Sequence, residues 1–284
     1  MKVKYLNPPR PGQIDLAQPV DWSNPQARGL VAYYPLWLTG SQIAFDMARR
    51  LRTIQESGDY PSVSTDATFG RALSFNGSSD RLISTDTPYI FRGYTFSVWF
   101  NSTSSTTQQT MFGKGSVDGT EALMYLGLVG DAAGDPVRMG VYDGANSSAA
   151  NTTTAYPTNQ WALATGAVNA NGSTVAWLNG GSKGTDATAT NEPAGTVMFM
   201  GLRYWNSSFD RYFAGKLGEV RVYNRVLSDN EVYNLWQPTT RWSMLRTLTG
   251  RRTFYVPAAA TDPEANLIGG KLIRGGLLRR RLVA

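Results

Sequence analysis

Short apolar segments alternate with loops rich in Gly, Ser, Thr, Asn and Asp over most of the chain, and this pattern constrains the fold most strongly. In residues 94–101 (YTFSVWFN) the even-numbered positions up to Phe100 are apolar, while Ser97 and Trp99 fall on the opposite face. A two-residue period is that of a β-strand. Many such segments separated by turn residues predict an all-β fold, a two-sheet antiparallel β-sandwich of the jelly-roll type. Further predicted strands are Met124–Val129, Val137–Tyr142, Trp161–Val168, Thr174–Leu178, Val197–Gly201 and Lys216–Tyr223.

Other local patterns refine this prediction. The apolar segment Gly29–Leu38 predicts a buried first strand, and Asp46–Gln55 predicts either a short helix or a polar loop. Asn76-Gly77, inside the alternating segment Gly70–Ile83, predicts a hairpin turn. The polar segments 102–109, 131–135, 144–154 and 180–190 are predicted to be loops.

One short helix is predicted near the C-terminal end of the sandwich. Ser228 is a preferred N-cap residue, and Glu231 follows at the spacing of a capping box. Val232, Leu235 and Trp236 then form an apolar stripe, and Pro238 ends the helix.

The distribution of charge divides the chain. Residues 1–240 carry 18 Lys and Arg against 19 Asp and Glu, a net charge of −1, and residues 241–284 carry nine against two, a net charge of +7. Residues 1–26 are rich in proline. We therefore predict a proline-rich N-terminal arm (1–26), a β-sandwich (27–237) and a basic C-terminal extension (238–284) with extended terminal arms.

The basic extension is predicted to anchor the chain to a protein partner. Arginines interleaved with Leu and Ile suit an extended strand that pairs with a neighbour's sheet edge and its acidic residues. No aromatic residue follows position 264, which argues against nucleic acid as the partner. A free, unattached tail is the alternative. The predicted anchor residues are Arg241, Arg246, Arg251, Arg252, Lys271, Arg274, Arg279, Arg280 and Arg281.

The residue types that are missing exclude several kinds of chemistry. The chain has no cysteine, which rules out disulfides and thiolate metal sites. It has no histidine, and so lacks the most common general base and zinc ligand. No apolar run follows the N-terminal lysines and no stretch is apolar enough to span a membrane, so we expect no secretory signal and no membrane association.

The order of the motifs resembles the concanavalin A-like, laminin-G-like jelly roll. The most specific block joins a strand that contains Gly218, Glu219 and Tyr223 to a helix that begins at Ser228. The opening VDWSNPQARGL and the later segment LWQPTTRWSML are similar to laminin-G-like proteins of tailed bacteriophages. The segments that carry the family resemblance are ARGLVAYYPL (27–36), FGRALSFNGSSDRL (69–82), YTFSVWFN (94–101), QWALATGAVN (160–169), VAWLNG (175–180) and GKLGEVRVYNRVLSDNEVYNLW (215–236).

The resemblance implies a non-enzymatic structural protein of a virion, assembled in the host cytoplasm. Its expected partners are capsid or other virion subunits, in a homo-oligomer or multi-copy assembly, to which it would attach as a decoration, head or tail accessory protein. The alternative function is a carbohydrate-binding adhesin. Its candidate glycan-binding residues are Tyr204, Trp205, Phe209 and Tyr212, and the competing interpretation is that these aromatics close the end of the core.

Two further site predictions come from the family. Glycoside hydrolases with this fold need paired carboxylates across a cleft, and the strand at 216–223 has the single acid Glu219, so we predict no catalytic residues. Some family members bind structural calcium, for which Asp46 and Glu219 are the candidates here. The arginines that follow Asp46 disfavour a cation, and we therefore expect no cofactor, with calcium as the alternative.

Overall fold

The computed structural model describes residues 20–36, 44–48, 53–54, 59–84, 93–115, 123–191, 197–205 and 208–245. Two compact units, 1–247 and 248–284, divide the chain, and the second unit lies outside the described residues. Within the described ranges no helix is both long and apolar enough to cross a lipid bilayer.

Almost every regular element is a β-strand, which confirms the predicted fold class. The two helical elements in the described residues are a 3₁₀ turn at Pro25–Ala27 and the helix α1 (Asp229–Trp236). In chain order the strands are β1 (Leu30–Pro35), β2 (Ala44–Phe45), β3 (Thr53–Ile54), β4 (Ser62–Asp66), β5 (Gly70–Asn76), β6 (Leu82–Ser84), β7 (Tyr94–Ser102), β8 (Gln108–Gly115), β9 (Leu123–Val129), β10 (Val137–Tyr142), β11 (Ser147–Asn151), β12 (Ala162–Val168), β13 (Thr174–Leu178), β14 (Ser182–Asp186), β15 (Val197–Met200), β16 (Arg203–Trp205), β17 (Ser208–Asp210) and β18 (Ala214–Tyr223).

Two antiparallel sheets form the sandwich. Sheet I has the strand order β14-β13-β12-β7-β18-β5-β4, and β1 also pairs with β18. Sheet II has the order β11-β10-β9-β8-β15-β6. The inner core lies between the sheets, and it includes Phe96, Val98 and Phe100 of β7 together with Leu126 of β9 and Met139 of β10. The alternation in β7 therefore places its residues as the sequence predicts.

A second apolar cluster covers the outer face of sheet I, and we call it the outer cluster. This cluster contains Trp99 of β7. The neighbours of Trp99 on the strand, Val98 and Phe100, point into the inner core, so Trp99 and the cluster lie on the other side of the sheet. The covering elements are α1, the segment 20–27 and the segment 238–245. The last two segments meet in an antiparallel bridge between Val20 and Leu245, and both side chains are buried.

The helix α1 has the predicted start and end. The Ser228 hydroxyl accepts the backbone N–H of Glu231, and the Glu231 carboxylate accepts the backbone N–H of Ser228 at 2.9 Å. Val232 and Leu235 are buried in the outer cluster, and Trp236 stacks on Trp99 with ring centroids 5.2 Å apart. The helix thus closes the outer face of sheet I.

The predicted hairpin at Asn76-Gly77 is wrong, because the strands on either side belong to different sheets. Strand β5 is in sheet I and β6 is in sheet II. The Asn76 side-chain oxygen accepts the backbone N–H groups of Ser78, Ser79 and Asp80, at 2.9 to 3.1 Å. This local turn redirects the chain from one sheet to the other instead of folding it back on itself.

Four other segments also differ from their predictions. The predicted loops at 144–154 and 180–190 contain the edge strands β11 and β14, and the predicted loop at 102–109 contains the start of β8. In the segment 46–55, a turn at 46–48 follows strand β2, and residues 53–54 form strand β3, which pairs with β2. Strand β14 is polar because both of its faces are partly open to solvent, whereas β11 buries the small residues Ser148 and Ala150 on one face, and both sequences therefore resemble loops.

The predicted three-part division of the chain stays a prediction. Residues 20–26, assigned to the arm, and residues 238–245, assigned to the extension, pack on sheet I in the structure. Trp242, Met244 and Leu245 are each at most 5% exposed. The remaining residues of both predicted arms lie outside the described ranges.

Candidate functional site

Small residues occupy the centre of the outer face of sheet II, which is the face turned away from the inner core. Leu126 and Met139 point into the inner core, so their strand neighbours Tyr125 and Gly140 lie on the outer face. One row of paired residues crosses the sheet in the order Ala149, Gly140, Tyr125, Gly113 and Phe199. Tyr125 therefore has a glycine on each neighbouring strand.

The ring of Tyr125 lies over Gly140. A Cβ atom on Gly140 would be 2.5 Å from a carbon of this ring and 3.0 Å from its hydroxyl oxygen. Arg211 contacts the same ring, since one of its Nη atoms donates to the Tyr125 hydroxyl at 3.1 Å and its guanidinium carbon is 5.5 Å from the ring centroid. Glycine at position 140 is therefore required for the ring to lie along strand β10.

Two more aromatic rings continue this surface. Tyr142 lies two residues beyond Gly140 on the same face of β10. Its ring centroid is 5.1 Å from that of Trp205, and the two ring planes are tilted by 56°. All three rings are half-buried. We call Tyr125, Tyr142 and Trp205 the aromatic platform.

The hairpin β16–β17 supplies Trp205 and positions it. Arg203 forms two hydrogen bonds with Asp210, of which the one from Nε to Oδ1 is 2.8 Å long. The guanidinium carbon of Arg203 is 5.2 Å from the Trp205 ring centroid. A bidentate ion pair of this kind fixes the guanidinium geometry, so it also fixes the ring beside it.

The four predicted glycan-binding aromatics do not form one group. Trp205 belongs to the aromatic platform, whereas Tyr204 and Phe209 stack on each other at a centroid distance of 5.0 Å. Tyr204 and Phe209 are paired across the hairpin, so they share the hairpin face that Trp205 does not occupy. The guanidinium of Arg81 covers Phe209 at 4.8 Å, and Tyr212 is half-buried after the hairpin.

Sequence reasoning missed Tyr125, Tyr142 and Arg211. Tyr125 and Tyr142 lie in correctly predicted strands, and the alternation there shows that they face away from the core. The signal that could have found Tyr125 is its pairing with glycines, but that pairing becomes visible only when the strand register is known.

Asp46 and Glu219, the calcium candidates, are held by contacts within the protein. Asp46 accepts the backbone N–H groups of Tyr33 and Ala48, both at 2.9 Å. Glu219 is 1% exposed and lies 2.7 Å from the guanidinium of Arg221. An adjacent cation disfavours a metal ion at this carboxylate. In the described ranges no three acidic residues lie close enough together to hold a metal ion. The expectation of no cofactor, with calcium as the alternative, stays a prediction.

Among the predicted anchor residues, the structure describes Arg241. Its guanidinium carbon is 4.0 Å from the Trp242 ring centroid and 5.1 Å from that of Trp99. The backbone carbonyl of Arg241 accepts a hydrogen bond from Arg221 at 2.5 Å. Burial lowers the pKa of Arg241. This side chain therefore takes part in the outer cluster. The predicted anchor residues Arg246, Arg251, Arg252, Lys271, Arg274, Arg279, Arg280 and Arg281 lie outside the described residues.

Comparison with protein families identifies the sandwich. Residues 76–233 match the laminin G model described as the concanavalin A-like lectin/glucanases superfamily. This match spans more than half of the chain and covers the aromatic platform. No curated protein sequence matches the chain significantly.

Comparison with solved structures gives the same fold at low sequence identity. Domain 4 of an extracellular GH43 arabinanase from Geobacillus stearothermophilus matches with a TM-score of 0.58 and 22% identity, over 73% of this chain and 98% of that domain. The CBM40 module of the Ruminococcus gnavus IT-sialidase gives 0.51 and 16%, over 58% and 96%. The receptor-binding domain of botulinum neurotoxin type G gives 0.52 and 11%, over 73% and 51%.

Proposed function

Since the chain belongs to the concanavalin A-like lectin/glucanase superfamily, we propose that it is a carbohydrate-binding protein that holds its ligand on the outer face of sheet II. The observation that carries this proposal is the aromatic platform of Tyr125, Tyr142 and Trp205. Sugar rings present apolar C–H faces, and half-buried aromatic rings on a rigid sheet offer matching flat surfaces.

The shape of this face supports the proposal. The glycines beside Tyr125 let aromatic rings lie flat on the sheet, because the Tyr125 ring covers Gly140 and the Phe199 ring covers Gly113. Arg203, Asp210 and the Tyr142 hydroxyl, which donates to the carbonyl of Gly144 at 2.9 Å, add polar groups at the edge of the rings. Two of the similar structures were solved with arabinotriose and with α2,3-sialyllactose, which supports the same class of ligand for this chain.

We expect Trp205→Ala to weaken glycan binding by at least about tenfold, equivalent to about 1.4 kcal/mol. The ring forms one side of the platform, and alanine removes its stacking surface. Isothermal titration calorimetry with arabinotriose, sialyllactose and a panel of neutral oligosaccharides measures the effect.

The matched control for Trp205→Ala is Tyr233→Ala. Tyr233 is an exposed aromatic residue, 47% exposed, on α1 at the other side of the sandwich. Tyr233→Ala should leave affinity unchanged. Equal affinities for the wild type and the Trp205→Ala variant would disprove binding at the platform.

The proposed function is binding without catalysis. The carboxylate of Asp210 lies beside the platform, and it is paired with Arg203. Glu219 lies beneath the outer cluster on the other side of the sandwich. A glycosidase needs two carboxyl groups that face one sugar, and these two acids are on opposite faces of the fold.

The second part of the proposal is attachment to a virion through the chain ends. Val20 and Leu245 are the first and last residues that the structure describes, and they form a β-bridge on the side of the sandwich opposite the platform. The charge of +7 over residues 241–284 supports attachment to an acidic protein surface. Anchoring on one side would leave the platform facing outward.

Co-sedimentation with purified phage particles or empty shells tests this attachment. We expect the full-length chain to pellet with particles of its source virus, and a chain that ends at Thr247 to remain in solution. If both chains pellet equally, or neither does, the anchor hypothesis fails. Glycan binding by the shortened chain should match that of the full-length protein in either case.

A further inference from the structure

Two arginines beside the aromatic platform have no acidic partner in the described part of the chain. Arg138 donates from Nε to the side-chain oxygen of Asn151 at 2.8 Å, and Arg211 donates to the Tyr125 hydroxyl. The ion pairs of the described residues include neither arginine. A guanidinium group has five N–H donors, so most donors of both groups remain available to a ligand.

The strand register places these two arginines at the same end of the platform. Arg138 precedes Gly140 by two residues on the same face of β10, a distance of about 7 Å. The hydroxyl end of the Tyr125 ring lies over Gly140, and Arg211 contacts that hydroxyl. Gly127 pairs with Arg138 on the neighbouring strand, so no side chain there separates Arg138 from the ring. Both guanidinium groups can therefore reach a ligand that is stacked on Tyr125.

The charge beside the Tyr125 hydroxyl is positive, because the guanidinium of Arg211 contacts that hydroxyl. At the other end of the platform Asp210 is paired with Arg203, and the carboxylate of Asp143, next to Tyr142, accepts backbone N–H groups of Ala145 and Asn146. Arg138 and Arg211 thus add two uncompensated positive charges to a surface suited to sugar rings. Guanidinium groups bind planar carboxylates and sulfate or phosphate oxygens through paired hydrogen bonds, which makes them selective for anionic groups.

We propose that the platform binds sugars that carry an anionic group, a carboxylate or a sulfate ester, and that Arg138 and Arg211 bind this group. This inference rests on the proposed glycan binding and specifies its ligand class. The sugar ring stacks on Tyr125 while the anionic substituent lies between the two arginines.

Calorimetry on the full-length chain with two matched ligand pairs tests the inference. One pair is trigalacturonic acid and its methyl ester, and the other is a sulfated galactose oligosaccharide and its desulfated form. We expect the anionic member of at least one pair to bind about tenfold more tightly than the neutral member. The pair that shows the difference identifies the group as a carboxylate or a sulfate.

Three variants separate the platform from the basic C-terminal region. Arg138→Gln and Arg211→Gln should each remove most of the preference for the anionic ligand over its neutral partner. Arg279→Gln is the matched control for general attraction to positive charge, and it should keep the preference. The Arg138 side chain donates its hydrogen bond to Asn151 and not to Tyr125, so its variant is informative even if Arg211→Gln displaces the ring.

The experiment distinguishes failure of the anion preference from failure of glycan binding. If neutral and anionic ligands bind equally and Trp205→Ala abolishes both, glycan binding at the platform stands and the preference for anions is wrong. If Arg279→Gln removes the preference as effectively as Arg138→Gln, attraction by the basic C-terminal region explains it and the inference is overturned. If none of the ligands binds, both the inference and the proposed function are wrong.

Discussion

Replacing Arg221 with methionine should lower the free energy of unfolding by about 3–5 kcal/mol, because it leaves the carboxylate of Glu219 buried without its ion-pair partner. Both side chains are 1% exposed, and the Arg221 guanidinium lies 2.7 Å from a Glu219 oxygen. Burial acts to lower the pKa of Arg221, but the interactions with Glu219, Tyr223 and Tyr33 together outweigh it, and the pKa is raised. Equilibrium unfolding in urea measures the change.

Two further variants make the Arg221 result interpretable. Arg71→Met changes an exposed arginine on β5 and should alter stability by less than about 0.5 kcal/mol. The double variant Glu219→Met with Arg221→Met removes both charges and should recover most of the loss. Two guanidinium nitrogens of Arg221 have no hydrogen-bond partner among the described residues, so the native pair itself is incompletely compensated. A single variant as stable as the wild type would show that the Glu219 carboxylate does not depend on Arg221 in the folded state.

The sequence predicts those elements whose local pattern and tertiary environment agree. Strand β7 alternates because one of its faces meets the inner core and the other meets the outer cluster, and α1 starts at Ser228 because its capping box is complete within four residues. The edge strand β14 has no such pattern. Its backbone approaches β11 so closely that a Cβ atom on Gly184 would be 1.6 Å from the carbonyl oxygen of Asn151, a contact set by the fold and not by local sequence.

The candidate site was less predictable than the fold because its residues are brought together by tertiary contacts and not by local sequence. Trp205 could be named because aromatic residues cluster in its loop, but Tyr125, Tyr142 and Arg138 come from strands that become neighbours only in sheet II. Gly140 shows the difficulty well. In the sequence it is one glycine in an apolar strand, and its role becomes clear only when the Tyr125 ring is found in the space that a side chain would fill.

A chain that ends at Gln237 should lose most of its stability, whereas a chain that ends at Thr247 should unfold like the full-length protein. The shorter chain lacks Trp242, Met244 and Leu245, which are buried in the outer cluster. Truncating one such side chain typically costs about 2–5 kcal/mol, and the total stability of a domain is about 5–15 kcal/mol. Circular dichroism during thermal unfolding compares the three chains.

Removal of residues 238–245 should also remove polar contacts that stabilise the fold. Trp242 donates from its indole N–H to Glu219 at 3.2 Å, and the carbonyl of Arg241 accepts from Arg221, so removal of the segment leaves a buried ion pair without two of its hydrogen bonds. The single variant Trp242→Ala should reproduce about 3–5 kcal/mol of the effect in the full-length chain. If the chain that ends at Gln237 melts at the same temperature as the one that ends at Thr247, residues 238–245 do not belong to the folding unit. If the chain that ends at Thr247 unfolds like the full-length protein, the basic residues after Thr247 can be removed without disturbing the sandwich. Any particle attachment that is lost with them is then due to those residues themselves.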